Sequence, residues 1–212
     1  MKSISSLINQ LTKGNWEWKT LGEIAIDIYR GNGVDNSQIG TGSYPCTTYG
    51  SISNAFSVWF DKCNFTVDPS LIKNPKYFEY GTLLLVAASQ VMRCIADCCA
   101  YLGKEKAIAG GNMFLLTHNQ NPKYLSYALS THHAKLQKQK YAKKGAIASI
   151  SKNDLKKIKI PLPPLEIQEQ IANALDHLRE ICEDLEKGIP KEIKLANKRY
   201  EYYRDFLITG KN

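Results

Sequence analysis

No apolar run in the chain is long enough to cross a membrane; Leu83 to Ala88 is the longest. Met1 to Gly14 has only Lys2 as a basic start and no apolar centre, so it does not read as an export signal. No phosphate-binding G-x-x-x-x-G-K-S/T loop and no H-E-x-x-H occurs. Gly31-Asn32-Gly33 and Gly40-Thr41-Gly42 bracket a polar loop, but no further glycine completes a dinucleotide fingerprint. Cysteines 46, 63, 94, 98, 99 and 182 include no C-x-x-C pair, and His118, His132 and His133 add no matching spacing. No metal site is therefore expected, and without an export signal the thiols are expected reduced, in the cytoplasm, as small buried hydrophobes.

Catalytic signatures are equally scarce. Asn74-Pro75-Lys76-Tyr77 and Asn121-Pro122-Lys123-Tyr124 carry lysine in place of the second proline of the N-P-P-Y/F amino-methyltransferase motif, and no glycine-rich cofactor loop precedes either. Glu17-Trp18-Lys19 and Glu192-Ile193-Lys194 have the tail of a nuclease motif without a well-placed aspartate on a strand ahead. The chain is expected to have no catalytic residues and no cofactor.

What is present is charge in one place. The 212 residues carry 28 basic and 20 acidic side chains, a net charge of +8. Between Lys135 and Lys159 lie nine lysines (135, 138, 140, 143, 144, 152, 156, 157 and 159) and one acid, Asp154, so the rest of the chain is neutral. A solvated helix face accounts for Lys135, Lys138 and Lys140. It does not account for charge that continues across a glycine-containing loop, and a polyanion such as DNA or RNA does. Lys143, Lys144, Gly145, Ser149, Ser151 and Lys152 form a basic, hydroxyl-bearing segment suited to phosphates. Gln90 and Arg93 after one strand, and Lys104, Lys106 and Asn112 around the next turn, have the side chains that reach base edges or phosphates.

Along the chain, Ser3 to Leu11 has helical periodicity, and Thr20 with Glu23 has capping-box spacing. Strands are expected at Ala25 to Arg30, Tyr44 to Thr48, Phe56 to Phe60, Leu83 to Ala88, Arg93 to Tyr101 and Met113 to Thr117. Ala107 to Asn112 reads as a flexible turn. Pro122 opens a helix to about Lys140, with Leu125, Leu129, His132 and Leu136 on one side. The fold class is mixed α/β (α+β), an irregular strand-rich domain over 1–160 and a helical arm over 161–212.

The boundary is the stretch KKIKIPLPPLEIQEQIANALD, residues 156–176. Pro161, Pro163 and Pro164 cannot sit within a helix or a central strand, and Glu166 and Glu169 suit the start of the helix that follows. Ile171, Leu175, Leu178, Cys182, Leu185 and Ile189 repeat at coiled-coil spacing; Gly188 and Pro190 interrupt, and the repeat resumes at Ile193, Ala196, Tyr200, Tyr203 and Leu207. Two readings fit: a helical hairpin packed on its own domain, or an arm that pairs with another helix. IPLPPLEIQEQIANALD, GIPKEI and YEYYRDFLITGK resemble the helical region of the specificity subunits of type I restriction–modification enzymes. The resemblance covers Trp16 to Lys211 and is strongest from Gly145 onward. It implies a target-recognition domain plus one helical spacer, half of such a subunit and not itself an enzyme. It also implies double-stranded DNA as ligand, and methylation and restriction subunits as partners. With Ile171, Leu175, Leu178 and Leu185 as a pairing seam, a homodimer would read a split palindrome; pairing with a different half would give an asymmetric target. A nucleic-acid-binding module unrelated to restriction, and an unrecognised DNA-modifying enzyme, are the rival classes.

Overall fold

Leu83-Leu84-Leu85-Val86 is buried at every position because the strand it forms is covered on both faces. Leu83 and Leu85 point into one core, and Leu84 and Val86 into another. Met113 to His118 repeats the alternation, with Phe114 and Leu116 on the first side and Met113 and Leu115 on the second. The computed structural model describes residues 16–34, 36–186 and 190–210, leaving aside the side chains of 183–194. The segment Ser3 to Leu11 lies outside the described residues.

The strands are β1 (Trp18–Thr20), β2 (Ala25–Arg30), β3 (Tyr44–Thr47), β4 (Trp59–Phe60), β5 (Phe65–Val67), β6 (Tyr77–Phe78), β7 (Leu83–Val86), β8 (Ala88–Ser89), β9 (Cys98–Tyr101), β10 (Ala107–Ala109), β11 (Met113–His118), β12 (Ala148–Ser149) and β13 (Lys159–Pro161). The helices are α1 (Leu21–Ile24), α2 (Tyr49–Asn54), α3 (Pro122–Ser130), α4 (His132–Tyr141), α5 (Lys152–Leu155), α6 (Leu165–Glu186) and α7 (Pro190–Thr209). A five-stranded sheet runs β2-β11-β7-β9-β4 and a four-stranded one β5-β3-β10-β6; β1 pairs β13, and β12 pairs β8. This is the expected mixed class, strand-rich sheets followed by C-terminal helices.

Local signals hold where they are strongest. The Thr20 hydroxyl accepts from the Glu23 amide, and the Glu23 carboxylate accepts from the Thr20 amide, so the capping box forms. The long helix after Pro122 instead breaks at Thr131, whose hydroxyl caps α4 by accepting from the Ala134 amide. The break rotates the helix: Leu125 and Leu129 stay buried, while His132 and Leu136 turn to solvent. Phe56 to Val58 is loop, and β4 keeps only Trp59 and Phe60. A 3-10 turn at Met92–Cys94 replaces the start of the strand expected from Arg93. Ala107 to Ala109, expected as turn, is a central strand between β3 and β6. Gly31 is required where it sits, since a Cβ there would collide with the Gly110 carbonyl.

α6 and α7 form a hairpin that docks on its own domain. Ile171, Ala172, Leu175, Leu207 and Ile208 join the core of α1, α3, β7 and β13. Ile171 and Leu175, expected on an intermolecular seam, are 1% and 0% exposed within the chain. The partner helix that periodicity could not supply is α3, only nine residues long, against which α6 packs. Leu178 is half-buried against the same core, and Leu185 lies among the side chains left undescribed. Asp176 fixes the docking. Its carboxylate accepts from Trp59 Nε1 (3.0 Å), the Tyr127 hydroxyl (2.6 Å) and Lys123 Nζ (2.6 Å), joining α6 to β4 and α3. Burial raises the pKa of this carboxyl, and the bonds from Lys123, Tyr127 and Trp59 outweigh that and hold it below its ordinary value. Near the end of α7, Asp205 accepts from the His132 amide at the start of α4 and pairs with Arg204 at 2.8 Å.

Candidate nucleic-acid interface

Ala88 breaks from the five-stranded sheet and pairs across to Ser149, as Ser89 does to Ala148. Lys143 and Ser149 exchange both backbone hydrogen bonds, at 2.8 and 3.1 Å, closing a tight loop over Lys144 to Ala148. This pairing joins two segments that are remote in sequence. Gln90 and Arg93 leave β8 on one side; Lys143, Lys144 and Gly145 stand exposed on the other. The tip also presents Ile147, an apolar side chain 62% exposed. Asn112 belongs to the same edge: its carbonyl accepts from the Ala87 and Ala88 amides, and its φ of 60° is a left-handed conformation that Asn tolerates. Arg30, which sequence reasoning did not single out, donates to the Asn112 side-chain oxygen at 3.3 Å.

Two of the expected residues lie elsewhere. β9 runs antiparallel to β7, so the loop after Tyr101 emerges at the opposite end of the sheet from Ser89. Lys104 lines a separate cleft there with Asp61, Lys62 and Glu105, and Lys106 sits 5.3 Å over the Tyr77 ring on the smaller sheet. Neither can join the edge built by β8 and β12. Ser151 is in place but engaged: its hydroxyl caps α5, accepting from the Asp154 amide and donating to the Asp154 carboxylate at 2.7 Å. Lys152 lies 3.7 Å from Asp27, and Lys157 pairs with Asp154 at 2.8 Å. Ser149 is half-buried, held by its backbone in β12.

The lysine run is thus not one face. Lys135, Lys140, Lys143, Lys144 and Lys156 are exposed, with Lys140 and Lys157 each 5.8 Å from the Tyr141 ring. Lys138, read as part of a solvated helix side, is instead buried, 5% exposed. Burial among the α2 and β9 neighbourhood pushes its ammonium pKa down, partly offset by Cys98 and Asp97. The cysteines are free thiols, and Cys46, Cys63, Cys98 and Cys99 are raised by burial. No group of three or more His, Cys, Asp or Glu that could hold a metal occurs among the described residues. No helix among them is long and apolar enough to cross a membrane.

An irregular mixed α/β domain locked to a helical hairpin, with a basic, amide- and guanidinium-bearing edge, has the features of a nucleic-acid-recognition module. The profile of the type I restriction modification DNA specificity domain matches residues 13–195. The chain belongs to that family, the DNA specificity, non-catalytic component of type I restriction–modification enzymes. It is 27% identical over 202 residues to the EcoR124I/EcoR124II specificity subunit of Escherichia coli, covering 93% of this chain and 49% of that subunit. The fold matches the HsdS subunit of Thermoanaerobacter tengcongensis with a TM-score of 0.56 at 17% identity, over 96% of this chain and 50% of that one. It matches the S subunit from M. genitalium at a TM-score of 0.54 and 20% identity, over 82% of this chain and 41% of that one. The chain spans half the length, or less, of these relatives.

Proposed function

We propose that the chain reads one half of a bipartite double-stranded DNA target and supplies one helical spacer to a type I restriction–modification complex in the cytoplasm. The observation that carries this is the β8–β12 pairing, which gathers Gln90, Arg93, Lys143 and Lys144 beside Asn112 and Arg30 on a single edge. Lys143 and Lys144 hold phosphates across the tight loop, and Gln90, Arg93 and Asn112 face base edges. α6, 22 residues and so about 33 Å long, sets the distance from this edge to the second reader. Two copies pair through the hairpin. Since Ile171 and Leu175 are used within the chain, the pairing face is the outer flank that bears Ile181 and Leu195, 43% and 51% exposed. Twofold pairing places identical readers in opposite senses, so the target is a split palindrome. Methylation and restriction subunits dock on the paired helices, and the isolated chain transfers no methyl group from S-adenosylmethionine.

The test is selection of bound duplexes from a random pool, with the solution mass measured alongside for wild type and Ile181→Glu. A dimer that becomes a monomer in the variant, and enrichment of two inverted half-sites at fixed spacing, is the expected result. A wild-type monomer refutes self-pairing, and a pool with no enriched sequence refutes target reading.

A further inference from the structure

Beside the β8–β12 edge lies a pocket of about 300 Å³ between the 3-10 turn after β8 and the face of α4. Three cations line it, Arg93, Lys135 and Lys138, against one carboxylate, Asp97. Lys138 is 5% exposed, and its ammonium feels the Asp97 carboxylate and Cys98 but also the like charge of Lys135. A largely buried ammonium among three cations that share one carboxylate is costly unless a further anion completes the set. Ser53, also on the wall, has a buried hydroxyl with no partner. An unmatched donor set of this kind, two buried groups behind two exposed cations, is what a tetrahedral oxyanion satisfies. Arg93 belongs both to this wall and to the proposed reading edge, and α4 runs on from Lys138 to the Lys143 loop, so pocket and edge are continuous.

We propose that this pocket seats a phosphate of the bound DNA backbone, held from within by Lys138 and Ser53 and at the rim by Arg93 and Lys135. The inference rests on the DNA-reading role proposed above and adds its anchor point, a buried contact that sets register without reading sequence. The low ammonium pKa expected from burial rises when the phosphate arrives, so binding and protonation reinforce one another.

The full chain is compared with Lys138→Met, which keeps the stem and removes the charge. Affinity for a random 30-base-pair duplex is followed against NaCl, and melting is measured in inorganic phosphate and in chloride at equal ionic strength. The expected result is that phosphate raises the wild-type melting temperature and not the variant's, while the slope of log affinity against log salt becomes shallower by about 0.9, one phosphate contact. In chloride the variant melts within a few degrees of wild type, because the favourable pull of Asp97 and Cys98 that is lost is offset by relief of the burial of a charge. Lys135→Ala, at the exposed rim, gives a smaller fall in slope and serves if Lys138→Met does not fold. Duplex binding with an unchanged slope in both variants overturns this inference alone. A phosphate-dependent melting shift with an unchanged slope also overturns it, assigning the pocket to a free anion. Failure of the wild type to bind any duplex overturns the DNA-reading role, and with it the DNA source of the phosphate.

Discussion

Replacing Asp176 with alanine removes the acceptor for three donors at once. Tyr127 is fully buried, its hydroxyl 2.6 Å from Asp176; Trp59 and Lys123 are half-buried. Each bond to a charged acceptor contributes roughly 1.5–3 kcal/mol net, but the three share one carboxylate and do not add. The Lys123 share is discounted because its side chain is 28% exposed and water can take over part of the solvation. Breaking a largely buried pair by removing one member costs about 3–5 kcal/mol, and that range is expected here. For a chain of this length it lowers the melting temperature by on the order of 10 °C. Urea unfolding followed by circular dichroism gives the free energy, and Trp59 fluorescence reports whether α6 has left β4. Lys123→Met in the Asp176→Ala background should cost less than in wild type, since it removes a charge already orphaned. The pH dependence follows from the depressed pKa of Asp176. Its stabilising share is full above the ordinary carboxylate range and is lost as pH falls through the lower folded value, so the gap between wild type and variant closes in acid. A loss below about 1 kcal/mol at neutral pH, or a gap that widens in acid, would show that the hairpin is held by apolar contacts alone.

Other perturbations separate the remaining elements. Thr131→Ala removes the cap that starts α4 and is expected to cost about 1 kcal/mol in urea unfolding, with Thr131→Ser close to neutral. Lys143→Ala with Lys144→Ala should weaken duplex binding evenly across sequences and make the salt slope shallower by up to about 1.8, whereas Lys104→Ala, at the far end of the sheet, should leave the slope unchanged. Burial pushes the thiols of Cys46 and Cys98 up to about 11 and, with Cys46 and Glu105 adding to it, that of Cys63 up to about 12. At pH 8 iodoacetamide should label all three at least about a hundredfold more slowly in the native chain than in urea, read by peptide mass. Leu175→Glu should unfold the hairpin and the domain together, by the cost of a charge in a filled core, while Ile181→Glu changes the solution mass and leaves the melting temperature within a few degrees.

Sequence alone determined the features whose physics is local. The Thr20–Glu23 capping box needs only residues three apart, β2 falls at the bounds that alternation and β-branching imply, and the prolines at 161, 163 and 164 force a break before α6. The same prolines and the heptad spacing carry the family resemblance, whereas the lysine run does not place its own side chains: Lys138 is buried, and Lys152 and Lys157 meet aspartates. Tertiary structure decided what depends on contacts remote in sequence. Heptad spacing defines an apolar stripe on α6 but not its partner; the short α3 and the Asp176 hydrogen bonds give the stripe to the chain's own core. A lysine on an apparently solvated face, Lys138, is buried because the cap at Thr131 redirects α4 against the turn at Met92–Cys94. Ala107 to Ala109 has too little side chain to announce a strand, and it becomes one because small residues fit between β3 and β6. The β8–β12 edge itself rests on two residue pairs about sixty positions apart, a register that no local periodicity encodes.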